Sequence, residues 1–129
     1  MIEEETRAAV LVVDDNPMNR DLLARQIEQH GHTVAMAENG LQALDMLQTQ
    51  DFDLVLLDVM MPGMNGSQVL EKLKAHPDFS HIPVIMISAL NDLEITARCI
   101  ELGAEDYLLK PFNRILLRAR INAALQKKR

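Results

Sequence analysis

The sequence is short of several features that would each define a class of protein. One of its 129 residues is cysteine, Cys99, which excludes an internal disulfide and is compatible with a reducing compartment. Its apolar runs, such as the stretch 10–13, are far shorter than the roughly 20 residues that a membrane-spanning helix needs. A net charge of −6 argues against direct contact with nucleic acid or an anionic membrane.

The beginning of the chain also lacks the basic and then apolar pattern of a secretory leader, because Glu3, Glu4 and Glu5 make it acidic. We therefore expect a cytoplasmic protein in which residues 1–7 form a flexible tail. The length and the 48% hydrophobic content predict a single domain, residues 1–129, with its own core.

Short apolar runs alternate with helical patterns five times along the chain. The predicted strands are residues 8–13, 32–37, 54–57, 82–87 and 106–109. A strand followed by a helix, repeated in this way, is typical of an α/β fold with a doubly wound parallel sheet. We therefore predict a five-stranded parallel sheet with helices on both faces.

Residues that commonly begin or end helices mark the segments between these strands. The predicted caps at helix starts are Asn16 before Pro17, Asn39, Asn91 with Glu94, and Asn113. Glycines end two of the helices, at Gly31 and Gly103. Apolar spacing predicts the buried positions of the first three helices, which are Met18, Leu22, Leu23, Ile27, Leu41, Leu44, Leu47, Val69, Leu70 and Leu73.

Polar residues follow the predicted strands at their carboxyl ends, and in a parallel sheet these ends share one edge, where ligands bind. The residues are Asp14 and Asp15, Asp58, Ser88 and Lys110. Converging carboxylates repel one another unless a hard divalent cation such as Mg²⁺ lies between them. Lys110 and Ser88 can each pair with a phosphoryl oxygen, which leaves Asp58 as a carboxylate nucleophile.

Four motifs carry these residues, and together they resemble one known family. The motifs are Val12–Pro17, Leu56–Gly66, Ile87–Ala89 and Lys110–Phe112. In this order and spacing they resemble the receiver domain of two-component response regulators over nearly the whole chain. The resemblance implies a flavodoxin-like sheet with strand order 2-1-3-4-5.

The resemblance also implies a role for each motif residue. Asp58 is the expected phosphoacceptor, and Mg²⁺, for which Mn²⁺ can substitute, is expected between Asp14, Asp15, Asp58 and the backbone carbonyl of Met60. The phosphoryl group is expected to contact Ser88, the backbone of Ala89, and Lys110.

The resemblance also implies which residues switch the structure and which residues set the lifetime of the phosphoryl form. Ser88 and Tyr107 are the expected switch residues, which change the surface made by the fourth helix, fifth strand and fifth helix. The bond before Pro111 is expected to be cis. Met60 and Leu90 occupy the lifetime-tuning positions, and since neither can orient a water molecule we expect a phosphoryl form that lasts on the order of tens of minutes or longer.

The expected function is therefore a phosphoacceptor switch of a two-component phosphorelay and not an enzyme, although it assists its own phosphorylation and slow hydrolysis. The expected partner is a histidine kinase or a histidine phosphotransfer protein. The kinase, the output and the pathway are not identified by the sequence.

The last predicted helix, residues 113–129, has two apolar stripes where one would cover the sheet. One stripe contains Phe112, Ile115, Leu116 and Ala119, and the other contains Leu117, Ile121, Ala124 and Leu125. Two interpretations stay open: a homodimer interface, or the start of a longer helix that leads into an output domain.

Other functions fit the residues less well. A Mg²⁺-dependent phosphohydrolase with an aspartyl nucleophile needs a second carboxylate close after Asp58, where Val59, Met60 and Met61 stand. A nucleotide or flavin binder needs a phosphate-binding loop after the first strand, and in this chain the segment after that strand is acidic. A degenerate receiver that only contacts proteins would not need every site position filled. We expect the histidines, His30, His32, His76 and His81, on the surface, and Cys99 buried.

Overall fold

A five-stranded parallel sheet forms the centre of the computed structural model, which describes residues 7–128, with side chains through residue 126. The strands are β1 (Ala9–Val13), β2 (Thr33–Ala37), β3 (Leu54–Asp58), β4 (Val84–Ser88) and β5 (Asp106–Leu109). Their order is β2-β1-β3-β4-β5 and every pair is parallel. The predicted fold class and strand order are confirmed.

Five α-helices connect and follow the strands. They are α1 (Pro17–Gln29), α2 (Gly40–Thr49), α3 (Gly66–Ala75), α4 (Leu93–Glu101) and α5 (Arg114–Lys128). A short 3₁₀ turn, Leu90–Asp92, precedes α4. Within the described residues, none of these helices is long and apolar enough to cross a bilayer.

Most of the predicted helix caps are present. The side chains of Asn16 and Asn39 accept backbone N–H groups of α1 and α2, and Asn113 accepts from Leu116 N–H at 3.0 Å. The predicted capping box of Asn91 and Glu94 is wrong, because Asn91 lies inside the 3₁₀ turn and α4 begins without a side-chain cap.

The core has two layers, one on each face of the sheet. Helices α1 and α5 cover one face with residues such as Leu23 and Ile121, and α2, α3 and α4 cover the other with residues such as Leu70 and Cys99. Strands β3 and β4 are buried along their whole length, as expected for central parallel strands. The buried position predicted for Cys99 is confirmed.

Several positions predicted to be buried are exposed instead. Met18 is 80% exposed, and Leu22 and Leu41 are also exposed. On α1 the face against the sheet is formed by Leu23, Ala24 and Ile27, so Leu22 lies on the flank of that face. Met18 belongs to the first turn of α1, where the helix begins beyond the end of β1.

His32 was predicted on the surface, and that prediction is wrong. Its side chain is buried, and the Ala8 N–H donates to His32 Nδ1 at 3.0 Å. The reason is local: β2 begins one residue later, at Thr33, and the imidazole covers the amino end of β1. Of the predicted tail, residues 1–6 lie outside the described part of the chain and Arg7 is exposed.

The two apolar stripes of α5 have different surroundings. Leu117, Ile121, Ala124 and Leu125 are buried against the sheet. The other stripe faces outward, with Ile115 81% exposed and Leu116 and Ala119 also exposed, while Phe112 is half-buried. The sheet therefore uses one stripe and leaves most of the other accessible.

Candidate acidic site at the carboxyl edge of the sheet

Three carboxylates meet where β1 and β3 end. Asp58 is the last residue of β3, and Asp14 and Asp15 directly follow β1. Ligand oxygens from all three lie within 4.8 Å of one another, with Asp14 and Asp58 buried and Asp15 exposed. The adjacent parallel strands β1 and β3 produce this convergence from residues that are far apart in the chain.

Hydrogen bonds from Asn16 and from the Arg20 guanidinium fix Asp14 but satisfy only one of its carboxylate oxygens. The Asn16 N–H donates to Asp14 Oδ1 at 2.9 Å, and Arg20 donates to the Asp14 carbonyl oxygen at 2.9 Å. Among the residues that the structure describes, the buried Oδ2 atom has no hydrogen-bond partner. An unpartnered buried oxygen is costly, so it marks a position where a ligand can supply the missing interaction.

The pKa of the Asp58 carboxyl is subject to two opposing effects. Lys110 Nζ lies 3.2 Å from Asp58 Oδ2, and the Met60 N–H donates to Oδ1 at 3.3 Å. Burial first, and then the charge of Asp14, raise the pKa of Asp58 from 3.8 to about 6, although Lys110 acts in the opposite direction. The carboxylate is therefore ionised at neutral pH at a cost that additional positive charge would offset.

The donor set fits a small divalent cation. It consists of carboxylate oxygens, one of them orphaned, and it excludes thiolate and imidazole, so hard ions such as Mg²⁺ suit it. The described residues therefore contain an acidic cluster that could hold a metal ion. The proposed contribution of the Met60 carbonyl stays a prediction.

Lys110 and Ser88 reach the site from neighbouring strands. Lys110 follows β5, its N–H donates to the Ser88 carbonyl at 2.8 Å, and the Lys110–Pro111 peptide bond is cis. Ser88 ends β4 and is fully buried. Its hydroxyl bonds to the Ala89 carbonyl at 2.9 Å and to Thr96 at 2.7 Å rather than to Asp58.

Tyr107 lies within β5, paired with Met86 of β4, and the two expected lifetime positions lie in the segments that follow β3 and β4. Tyr107 is half-buried, with the Arg120 guanidinium 5.7 Å from its ring centroid, and Arg120 also bonds to Asp106 at 2.8 Å. Met60 is 51% exposed and Leu90 is 69% exposed. Both apolar side chains are therefore accessible at the rim.

The sequence motifs do not contain Thr96, and they contain Gly66 without indicating its role near the site. Thr96 contacts Ser88 from α4, and the signal that could have indicated it is a hydroxyl on the inner face of that helix. Gly66 donates its N–H to the Val59 carbonyl at 2.8 Å, and a Cβ atom there would collide with the Asp58 carbonyl oxygen. A glycine is therefore required beside the acceptor strand.

Comparison with known proteins agrees with this geometry. Residues 10–122 match the model of the response regulator receiver domain. The response regulator PleD of Caulobacter vibrioides is 41% identical over 116 residues, which are 90% of this chain and 26% of that protein. The transcriptional regulatory protein CusR of Escherichia coli is 33% identical, covering 92% of this chain and 51% of that protein. The chain thus spans about half or less of the length of these relatives.

Solved structures give the same result. The receiver domain of a histidine kinase from Syntrophus aciditrophicus superposes with a TM-score of 0.86 at 32% identity, covering 93% of this chain and 91% of that one. The chemotaxis protein CheY4 of Vibrio cholerae gives a TM-score of 0.86 at 28% identity, covering 92% and 99%. Sequence, fold and acidic edge therefore agree, and the chain belongs to the response regulator receiver domain family.

Proposed function

We propose that this receiver domain accepts a phosphoryl group on Asp58 from a phosphohistidine of a histidine kinase or histidine phosphotransfer protein. The observation that supports this most directly is the buried Asp58 carboxylate, which lies beside Asp14 and Asp15 and within 3.2 Å of Lys110. The domain acts as the acceptor of the transfer and as a switch, and it releases the phosphoryl group only by slow hydrolysis.

In the transfer, an Asp58 carboxylate oxygen attacks phosphorus while the phosphorus–nitrogen bond of the phosphohistidine breaks. The departing imidazole takes up a proton. Lys110 keeps its charge beside the phosphoryl oxygens and the Ala89 N–H donates to them, and the Ser88 hydroxyl does so once it has turned toward them. Asp14, Asp15, Asp58 and the Met60 carbonyl would hold Mg²⁺ or Mn²⁺, which would supply positive charge to the same oxygens.

Phosphorylation then changes the surface beyond the site. Ser88 leaves the Ala89 carbonyl and turns toward the phosphoryl group, and the Tyr107 ring moves into the space that the loop after β4 vacates. The surface of α4, β5 and α5 is altered by this motion, which is a two-state change biased by local charge. A partner, or a further domain of a longer protein, reads that surface.

Labelling with a small nitrogen–phosphorus donor, phosphoramidate, tests the acceptor. We expect Mg²⁺-dependent, hydroxylamine-sensitive label on the wild type and only background label on Asp58→Asn. Asp51→Asn is the matched control, because Asp51 is exposed and lies before β3 rather than after it. Undiminished label on Asp58→Asn, or rapid turnover of the donor to free phosphate, would exclude the proposed role.

The exposed stripe of α5 supports a second, separate part of the proposal. Ile115 and Leu116 are accessible apolar residues beside the surface that is expected to change. We propose that this stripe forms a homodimer when the domain is phosphorylated. Light scattering with and without beryllofluoride should show a mass increase that Ile115→Glu abolishes and Leu41→Glu, an exposed leucine on α2, does not. A monomer in both states would favour the alternative of a helix that continues into an output domain.

A further inference from the structure

The hydroxyls of Ser88 and Thr96 form a buried pair. The four sequence motifs contain Ser88 but not Thr96. Thr96 is 2% exposed and Ser88 is fully buried, and their oxygens are 2.7 Å apart. Ser88 Oγ is also 2.9 Å from the Ala89 carbonyl oxygen, and Thr96 Oγ1 is 2.8 Å from the Asp92 carbonyl oxygen. Two hydroxyl protons therefore serve three close contacts, none of which is made with Asp58.

We propose that Thr96 is a positioning residue which holds the Ser88 hydroxyl in this resting position and so sets how readily Ser88 is released to a phosphoryl group on Asp58. The switch part of this inference rests on the proposed function. The resting-position part rests only on the observed contacts among Ser88, Ala89, Thr96 and Asp92.

The second acceptor of Thr96 explains how Ser88 can leave without stranding a buried polar group. While Ser88 is in the resting position, the Thr96 proton is shared between Ser88 Oγ and the Asp92 carbonyl. When Ser88 turns away, the Thr96 proton keeps the Asp92 carbonyl, and the Ser88 proton finds a phosphoryl oxygen. Both hydroxyls stay satisfied in both positions, as buried polar groups require.

The resting and the released positions of Ser88 are not equivalent for the Thr96 hydroxyl. The Asp92 carbonyl lies four residues before Thr96, at the start of α4, where it is the ordinary acceptor of the helical N–H. When Ser88 leaves, the Thr96 proton loses one of its two acceptors and keeps only this oxygen, which the helix already uses. Thr96 therefore favours the resting position by a modest amount, which suits a switch that a single phosphoryl group reverses.

Two substitutions separate the hydroxyl of Thr96 from its shape. Thr96→Val keeps the branched side chain and removes the hydroxyl, whereas Thr96→Ser keeps the hydroxyl and removes one methyl group. Both change core packing or polarity at a buried site, so both are expected to cost some stability. Only Thr96→Val is expected to release Ser88.

The resting position can be read without any phosphoryl group. Three-bond NMR couplings of Ser88 in the metal-free protein should report one side-chain rotamer in the wild type and in Thr96→Ser, and averaging in Thr96→Val. A single unchanged Ser88 rotamer in Thr96→Val would overturn the inference, as would averaging in the wild type.

The effect on the switch is read through the chain's single tyrosine. Tyr107 is the sole tyrosine and tryptophan is absent, so intrinsic fluorescence reports on the switch position alone. In beryllofluoride titrations with Mg²⁺, we expect Thr96→Val to bind about threefold more tightly than wild type, and Thr96→Ser to match wild type. In a Ser88→Ala background the same Thr96→Val change should have no effect on affinity.

The outcomes separate the two proposals. Absence of phosphoramidate label on the wild type, together with absence of a fluorescence response to beryllofluoride, would reject the acceptor role and with it the switch part of the inference, while the NMR couplings still judge the resting position. A response in the wild type with unchanged or weaker affinity in Thr96→Val, or an equal gain in Thr96→Ser, would overturn the role of Thr96 and leave the acceptor role standing.

Discussion

The two edges of the sheet both bury titratable side chains, but they surround them in opposite ways. At the amino edge, His32 Nδ1 accepts the Ala8 N–H at 3.0 Å and Asp53 Oδ2 accepts the Ala9 N–H at 2.9 Å. At the carboxyl edge, Asp58 lies against Asp14, whose buried Oδ2 atom has no partner within residues 7–128. The first arrangement stabilises the fold, and the second costs stability and is suited to binding a cation.

Burial acts on both edges, with different consequences at neutral pH. It is the main cause that lowers the pKa of His32 and the main cause that raises the pKa of Asp58 to about 6. His32 is therefore neutral near pH 7, which is the form that accepts the Ala8 N–H. Asp58 is ionised near pH 7 despite its burial. Equivalent substitutions at the two edges should therefore change stability in opposite directions.

The largest effect is expected from His32→Leu, which leaves the buried Ala8 N–H without its acceptor. We expect the free energy of unfolding to fall by about 2–3 kcal/mol, measured by urea denaturation at pH 7.5. His81→Leu is the matched control, because His81 is exposed, and it should change stability by less than about 0.5 kcal/mol. An equal loss in both variants would show that His32 is not a structural acceptor.

A smaller effect of opposite sign is expected from Asp58→Asn in the absence of divalent cations. Moving a carboxyl pKa from 3.8 to about 6 corresponds to about 3 kcal/mol of unfavourable ionisation, a net figure that already includes the interaction with Lys110. The buried amide of Asn has polar atoms of its own to satisfy, so it recovers only part of this free energy. We therefore expect the free energy of unfolding at pH 7.5 to rise by about 1–2 kcal/mol in EDTA. A clear loss of stability would contradict the contrast between the edges, and Asp51→Asn controls for loss of a surface charge.

The same variants should respond to pH in opposite senses. Because the pKa of Asp58 is higher in the folded than in the unfolded state, the folded wild type binds more protons and gains stability as pH falls from about 6 towards 4. The advantage of Asp58→Asn should then shrink by about 2 kcal/mol between pH 7.5 and pH 4.5, and so be almost entirely lost. Urea denaturation of both proteins in EDTA across this range measures it, and an advantage that does not change with pH would be incompatible with a raised Asp58 pKa.

For His32 the change of stability with pH has the opposite sign. Its pKa is lowered from 6.5 in the folded state, so below that pH the unfolded chain binds more protons and the contribution of His32 is lost. The deficit of His32→Leu should therefore diminish as pH falls below 6.5, and it should be greatest at neutral pH. A deficit that grows on acidification would mean that the folded protein favours the charged imidazole.

The sequence predicts the carboxyl edge better than the amino edge, and the reason is physical. Apolar strands that end in Asp14, Asp58 or Lys110 signal their chemistry locally, because every parallel strand delivers its last residue to the same edge. The strand order itself came from the family resemblance. His32 gave no such signal, since its partner, Ala8, is 24 residues away and is a backbone group that every residue possesses.

The motifs also do not predict the contacts between helices and strands. The burial of Thr96 against Ser88 depends on how α4 is rotated, and the helix begins two residues after the predicted cap, Asn91. The exposure of Met18 depends on where α1 meets the edge of the sheet. Apolar spacing predicts which face of a helix is buried, but not which neighbouring side chain a given atom will contact.

The smallest effect concerns the rim of the carboxyl edge, where the side chain contributes little to the fold. Met60 is 51% exposed, so Met60→Asn should change the free energy of unfolding by less than about 0.5 kcal/mol. Its amide could, however, orient a water molecule toward a phosphoryl group on Asp58. We expect dephosphorylation to be about three- to tenfold faster than in the wild type, whose half-life is expected to be on the order of tens of minutes or longer.

Loss of radioactive label after removal of the donor measures this rate, and Met64→Asn in the same loop is the control, since Met64 lies six residues beyond the acceptor. Equal rates in the wild type and Met60→Asn would show that water access, not water orientation, limits hydrolysis. A wild-type half-life of seconds would contradict the expected long-lived form outright. If Met60→Asn changes the rate without changing stability, the carboxyl edge contains residues that act on the phosphoryl group alone, a separation that the hydrogen-bonded amino edge does not allow.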